Sequence, residues 1–187
     1  MGIMEKALGD KIHTRQISLA TYPAENNSII VEGALKDERS VGIYIATGEK
    51  KPPGTIHHMI IRLLIGHPGL TIQDVEVEMV TYPRDECIDT MESMQRLKGL
   101  QIQSGFTVKV KGLIGGNKGC AHLTSLVTSM AHEVVQGYYT FVAQSSSGSK
   151  SKKHKKGFSS FITDTCHVWR KDGPVIKRLI AEHEKNE

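Results

Sequence analysis

Cysteine, aromatic residues and long apolar runs are all scarce in this chain. Three cysteines among 187 residues are too few for the disulfide framework that staples small secreted domains. Aromatic residues make up 5%, so the core has to rest on Ile, Val, Leu and Met. The longest apolar run, residues 59–65, is broken by Arg62 and falls far short of the roughly 20 residues that span a bilayer. Residues 1–15 hold no apolar segment of the signal-peptide kind. These absences point to a reduced, cytoplasmic protein with no membrane span, whose thiols are buried filler or ligands.

An evenly basic surface is missing too. The net charge of +4 is local, because Lys150, Lys152, Lys153, Lys155 and Lys156 place five positive charges within seven residues. The rest of the chain is close to neutral, so charge gives no indication of a nucleic-acid-binding face. Residues 145–157 are rich in Ser, Lys and Gly and lack the interleaved aromatics that base stacking needs. They read as a mobile loop inside a single domain over 1–187, long enough at 39% hydrophobic to bury a real core.

Apolar alternation marks strands in the first half. Residues 16–22 place Ile17, Leu19 and Thr21 on one face, and residues 28–36 set Ile29, Val31 and Leu35 against Ile30, Glu32 and Lys36. Residues 41–46 are expected to continue that strand after a bend. Residues 58–65 read as a buried strand. A turn at His67-Pro68-Gly69 leads into residues 70–82, where Val75, Val77 and Met79 alternate with Asp74, Glu76 and Glu78. Leu70 and Ile72 have the opposite parity, so Gln73-Asp74 is a candidate bulge. The pattern then switches to helical spacing: Ile88, Met91, Met94 and Leu97; Phe106, Val110, Leu113 and Ile114, with Ser104 as N-cap; and Leu123, Leu126, Val127, Met130 and Val134. Asp172-Gly173-Pro174 opens a short amphipathic helix. Strands followed by helices predict an α+β fold, an antiparallel sheet with three helices on one face and a C-terminal extension, residues 158–170, docking back as a strand that packs Trp169.

The chemistry-bearing side chains stand at the junctions of these elements. Cys120 follows a Gly-rich turn and opens a helix, with His122 two residues on. A helix N-terminus favours an anion, so a thiolate there can bind a metal or act as a nucleophile; the bland reading is a packing residue beside a surface histidine. Cys87 follows a strand among Asp85, Glu86 and Asp89. A thiolate among carboxylates calls for a cation, which favours a ligand over a free nucleophile. His57 and His58 start a strand and point to opposite faces. Cys166 and His167 precede the single Trp, Trp169, and read first as packing and second as an extra ligand. Thiolate and imidazole bind borderline and soft metals. No P-loop, dinucleotide fingerprint or G-x-S-x-G occurs.

Several segments resemble a family of bacterial proteins built on a domain of unknown function. The most specific is Gly115-Gly116-Asn117-Lys118-Gly119-Cys120-Ala121-His122-Leu123; His57-His58-Met59 and the stretch from Cys166-His167-Val168-Trp169 onward also match. More remotely, the order of pieces is similar to iron–sulfur cluster scaffold proteins of the IscU/NifU type. Those carry a cysteine leading into a strand, a second after the strand hairpin and a third at the start of a late helix. Here these places fall at His57 or His58, at Cys87 and at Cys120, with the first cysteine replaced by histidine and the neighbouring histidine displaced to His122. The resemblance implies a possible three-point site of His/Cys/Cys composition. Such a set suits zinc or iron, including an iron–sulfur cluster.

Three functions follow as expectations. The first is a metal-binding, scaffold-like or accessory protein using His57, His58, Cys87, Cys120, His122 and Cys166. The second is an enzyme with Cys120 as nucleophile on acyl or thioester groups. The third is a module for a protein partner, with cysteines as core filler.

Overall fold

Along β2 (Ile29–Arg39) and β5 (Gly54–Gly66) burial recurs at every second residue, because side chains alternate across a strand, and β1 (His13–Pro23) and β6 (Thr71–Thr81) flank this pair. The computed structural model describes residues 2, 9–66, 69–145, 163–164 and 166–184. The four strands form one antiparallel sheet in the order β1-β2-β5-β6. Ile29, Val31 and Leu35 of β2 and Met59, Ile61, Leu63 and Ile65 of β5 are almost wholly buried, each contributing about 1.5–3 kcal/mol by leaving water. The opposite face is wet, with Glu76 and Glu78 exposed on β6. The architecture is α+β, as the sequence predicts.

The register does more for function than the fold class. Arg15 of β1 pairs with Asp37 of β2, and Asp37 pairs with His57 of β5, so three polar residues form one row across the core face. Gln73 is the extra residue of a bulge on β6, since Leu64 pairs with Asp74 and Ile65 with Ile72, where the parity break is expected. Residues 41–46 do not extend β2. They give the two-residue strand β3 (Ile43–Tyr44), which pairs with β4 (Lys50–Lys51) as a separate hairpin. The turn expected at His67-Pro68 lies outside the described residues.

The helical part departs from expectation twice. The stripe from Ile88 to Leu97 is two short 3-10 helices, Asp85–Thr90 and Glu92–Leu97, not one α-helix. Thr90 Oγ1 donates to the Cys87 carbonyl and Ser93 Oγ to the Thr90 carbonyl, a local competition that disfavours the regular α ladder. The next helix, α1 (Phe106–Ile114), starts from Gly105 in the left-handed region rather than from a Ser104 cap. Helix α2 (Ala121–Ser145) buries Leu123, Leu126, Val127, Met130 and Val134. It lies so close over β2 that a Cβ on Gly33 would come within 2.8 Å of Met130 Sδ. Thr21 Oγ1 donates to Glu133 across the same face.

The chain divides into two compact units, Met1–Val134 and Val135–Glu187, where the sequence reads as one domain. The second unit, by itself, contains the rest of α2, turns over 163–164 and 166–173 and helix α3 (Pro174–Glu184), with Tyr138 and Ile176 buried. The segment around Cys166 is a set of turns rather than a strand; Trp169 N–H donates to the Cys166 carbonyl. Of the expected lysine loop, 145–157, Ser145 ends α2, and 146–157 lie outside the described residues, as do 158–162. No helix of the described residues is long and apolar enough to cross a membrane.

Candidate metal centre

Asp37 continues the parity of Ile29, Val31, Gly33 and Leu35, so β2 carries a carboxylate on its core face with a side chain only 2% exposed. A lone buried carboxylate is costly, and Arg15 meets it from the neighbouring strand. Nε donates to Oδ1 and Nη2 to Oδ2, both at 2.7 Å, the two-pronged geometry that suits guanidinium and carboxylate. Arg15 holds the Asp37 carboxyl below the usual carboxylate range; burial opposes this, and His57 and His122 reinforce it.

Two imidazoles complete the cluster. His57 Nδ1 lies 3.0 Å from Asp37 Oδ2. His122, in the first turn of α2, places Nε2 3.6 Å from the same oxygen, beyond hydrogen-bond reach. The two rings stack with centroids 3.8 Å apart and planes tilted by 31°. Burial, then the neighbouring His57 and Arg15, push the His122 pKa down against the pull of Asp37. A neutral imidazole with a free lone pair is the form a metal requires.

The local fold explains how His122 gets there. Thr124 anchors the Cys120 carbonyl through both its N–H and its hydroxyl, and the hydroxyl also reaches the Ile114 carbonyl at the end of α1. Gly119 is pressed against that end: a Cβ would stand 2.7 Å from the Ile114 oxygen and 2.8 Å from Ser93 Oγ. The Gly-rich turn thus docks tightly and delivers Cys120 and His122 onto the sheet. Cys120 Sγ is 3.7 Å from His122 Nδ1, on the ring edge opposite to the one that faces Asp37.

Asp37, His57 and His122 are the group of three or more metal-ligating residue types, among the described residues, whose ligand atoms all lie within 4.8 Å of one another. Tetrahedral zinc with bonds of about 2.0–2.1 Å holds its ligand atoms about 3.3–3.4 Å apart, and the two carboxylate–imidazole distances of 3.0 and 3.6 Å bracket that edge.

Of the residues singled out from the sequence, His57 and His122 come together, with Cys120 beside them. Cys87 is half-buried in the first 3-10 helix and joins no such group. His58 occupies the opposite face of β5, as its parity requires. Cys166 is exposed in the second unit. Sequence reasoning missed Arg15 and Asp37. The signal was present, because both carry charge at positions whose parity is otherwise apolar, beside Ile17 and Leu19 on β1 and after Leu35 on β2.

Residues 13–136 match the family described as a protein of unknown function, DUF2889. The chain belongs to this family. The DUF2889 span runs from the start of β1 into α2 and contains Arg15, Asp37, His57, Cys87, Cys120 and His122, while Cys166 and His167 fall outside it. No curated protein and no solved structure matches the chain, and nothing in these comparisons supports the similarity to cluster scaffolds.

Proposed function

We propose that this protein is a metal-binding accessory protein whose centre is Asp37, His57 and His122, taking zinc or iron. The observation that carries the reading is the convergence of two imidazole nitrogens on a buried carboxylate, within 4.8 Å. Two histidines and a carboxylate form a recognised set for zinc with an open fourth position and for non-haem iron. Cys120 then acts as the partner of His122: with the metal on Nε2, Nδ1–H donates to Sγ, the kind of outer contact that orients a ligating imidazole. Three free thiols support a reducing compartment. The narrower, scaffold-like form of this reading draws on His57 near the start of a strand, Cys87 after the hairpin and Cys120 before a late helix.

Elemental analysis of untagged protein, purified anaerobically, tests it. Stoichiometric zinc or iron that is lost in both His57→Ala and His122→Ala supports the centre. Metal-free protein that also fails to take up added zinc or iron(II) sinks it.

One observation favours a second reading. Cys120 Sγ and Asp37 approach opposite ring nitrogens of His122, at 3.7 and 3.6 Å, an order of groups that suits a thiol nucleophile with an imidazole base. A cleft of about 620 Å³, lined in part by Asp89, Arg96, Asn117 and Lys118, reaches Gly119, the residue before Cys120 in the chain. Acyl or thioester groups are the substrates this chemistry takes. Rapid alkylation of Cys120 at neutral pH, abolished by His122→Ala and found in metal-free protein, would favour it over the metal centre.

A further inference from the structure

The charges around the centre point to what occupies the open position, given the metal reading. Asp37 is the carboxylate that pairs with Arg15, His57 and His122, and no other ion pair of the described residues includes any of those three. The Asp37 charge is already offset by Arg15, and ligating imidazoles are neutral. A divalent metal would therefore leave its two positive charges uncompensated in a half-buried site. Hydroxide or an anionic ligand has to restore the balance.

Arg15 supplies the second point of contact. It spends one N–H of Nε and one of Nη2 on Asp37, out of five that guanidinium offers. Exposure rises from Asp37 at 2% through His57 at 14% and His122 at 26% to Arg15 at 40%, so the cluster opens toward the guanidinium. Arg15 Nη2 sits 2.7 Å from the oxygen the metal would share, which puts guanidinium and metal no more than about 5 Å apart given a bond of about 2.0–2.2 Å. One oxyanion can bridge that gap, with one oxygen on the metal and another on Arg15. We propose that the loaded centre binds a small oxyanion, a carboxylate or a phosphate, between the metal at Asp37, His57 and His122 and the guanidinium of Arg15.

Calorimetry separates this inference from the reading it rests on. Zinc is titrated first into wild type, Arg15→Lys and Arg15→Gln, with anaerobic iron(II) in its place if zinc does not bind; failure of both metals overturns the metal reading itself. After free metal is removed, inorganic phosphate and acetate are titrated separately into the loaded and metal-free forms. The expected result is anion binding only by the loaded protein, weakened about tenfold or more in Arg15→Gln and less in Arg15→Lys. Zinc affinity in Arg15→Gln should stay equal or rise, because a neighbouring positive charge is gone. The tighter of the two anions names the ligand class. If metal binds yet neither anion does, or if binding is the same in Arg15→Gln or in the metal-free form, the oxyanion site is wrong.

Discussion

Replacing Arg15 by Ala should cost more stability than replacing Asp37 by Asn, although both break the same pair. The reason lies in what each substitution leaves behind. Without Arg15, an anionic Asp37 remains with its side chain 2% exposed. Breaking a buried pair in this way costs about 3–5 kcal/mol, and the lower end applies here because Arg15 is 40% exposed and water can follow it in. Asp37→Asn leaves behind a guanidinium that water already reaches. It keeps an acceptor oxygen and forfeits about 1 kcal/mol of hydrogen bonding. The expected gap is about 2 kcal/mol, or roughly 4–8 °C in Tm for a chain of this size.

Far-UV circular dichroism with urea is the suitable assay, since the single Trp, Trp169, belongs to the second unit. The gap must also depend on pH in a definite direction. The folded Asp37 pKa is lowered, so the pair's contribution is fully present above the unfolded carboxylate value of about 3.9 and fades as pH falls through the lowered folded value. Wild type and Arg15→Ala should therefore converge below about pH 4. An Arg15→Ala protein as stable as Asp37→Asn at pH 7, or a gap that persists unchanged into acid, would refute the argument that the buried carboxylate sets the cost.

Other outcomes follow from the same geometry. Because the folded His122 pKa is depressed, the unfolded chain takes up its proton first, so metal-free protein should lose stability as pH drops through about 6.5; urea titrations at neutral and mildly acid pH should show that step flattened in His122→Asn. Gly33→Ala should cost about 1–3 kcal/mol by overpacking, since the new Cβ meets Met130 Sδ at 2.8 Å; in a double-mutant cycle it should cost clearly less in a Met130→Ala background than in wild type, and an equal cost there means the clash is not the cause. Cys120→Ser should hold zinc affinity near wild type while Cys120→Ala weakens it about tenfold. The cobalt-substituted protein should lack a thiolate charge-transfer band, and its presence would make Cys120 a direct ligand.

The fold was readable because its strands obey a simple period. Ile29, Val31 and Leu35, or Val75 and Val77, declare a half-buried antiparallel sheet without help from tertiary structure, and the parity break at Gln73 announces the bulge. The helical stripe over Ile88–Leu97 misled because periodicity reports which residues are buried, not which hydrogen-bond ladder connects them; Thr90 and Ser93 decide that locally. The site was only half legible. His57 and His122 are conspicuous as residue types, and each sits at an element boundary. Asp37 lies one residue beyond the strand end drawn from the apolar alternation, and its meaning emerges only from the register that sets it between Arg15 and His57. Cys87 shows the limit of residue type from the other side: a thiol among carboxylates suggests a ligand, while its place in the fold is a 3-10 turn outside the Asp37, His57 and His122 group.

His122 cannot serve the metal and the thiol at the same time. With a metal on Nε2, its proton must sit on Nδ1, where it points at Cys120 Sγ, 3.7 Å away, and the imidazole has no lone pair left to take a proton from the thiol. As a base for Cys120 it needs that Nδ1 lone pair, so the ring proton moves to Nε2 and faces Asp37, 3.6 Å away. The two tautomers exclude each other, which makes the competing readings experimentally coupled. If the thiol is activated by His122, adding one equivalent of zinc to metal-free protein should suppress alkylation of Cys120, and His57→Ala should relieve that suppression by weakening the zinc site without touching the thiol or its base. Alkylation that is slow before zinc and unchanged after it, in protein that binds zinc stoichiometrically, assigns His122 to the metal alone and leaves Cys120 as the group that holds its tautomer.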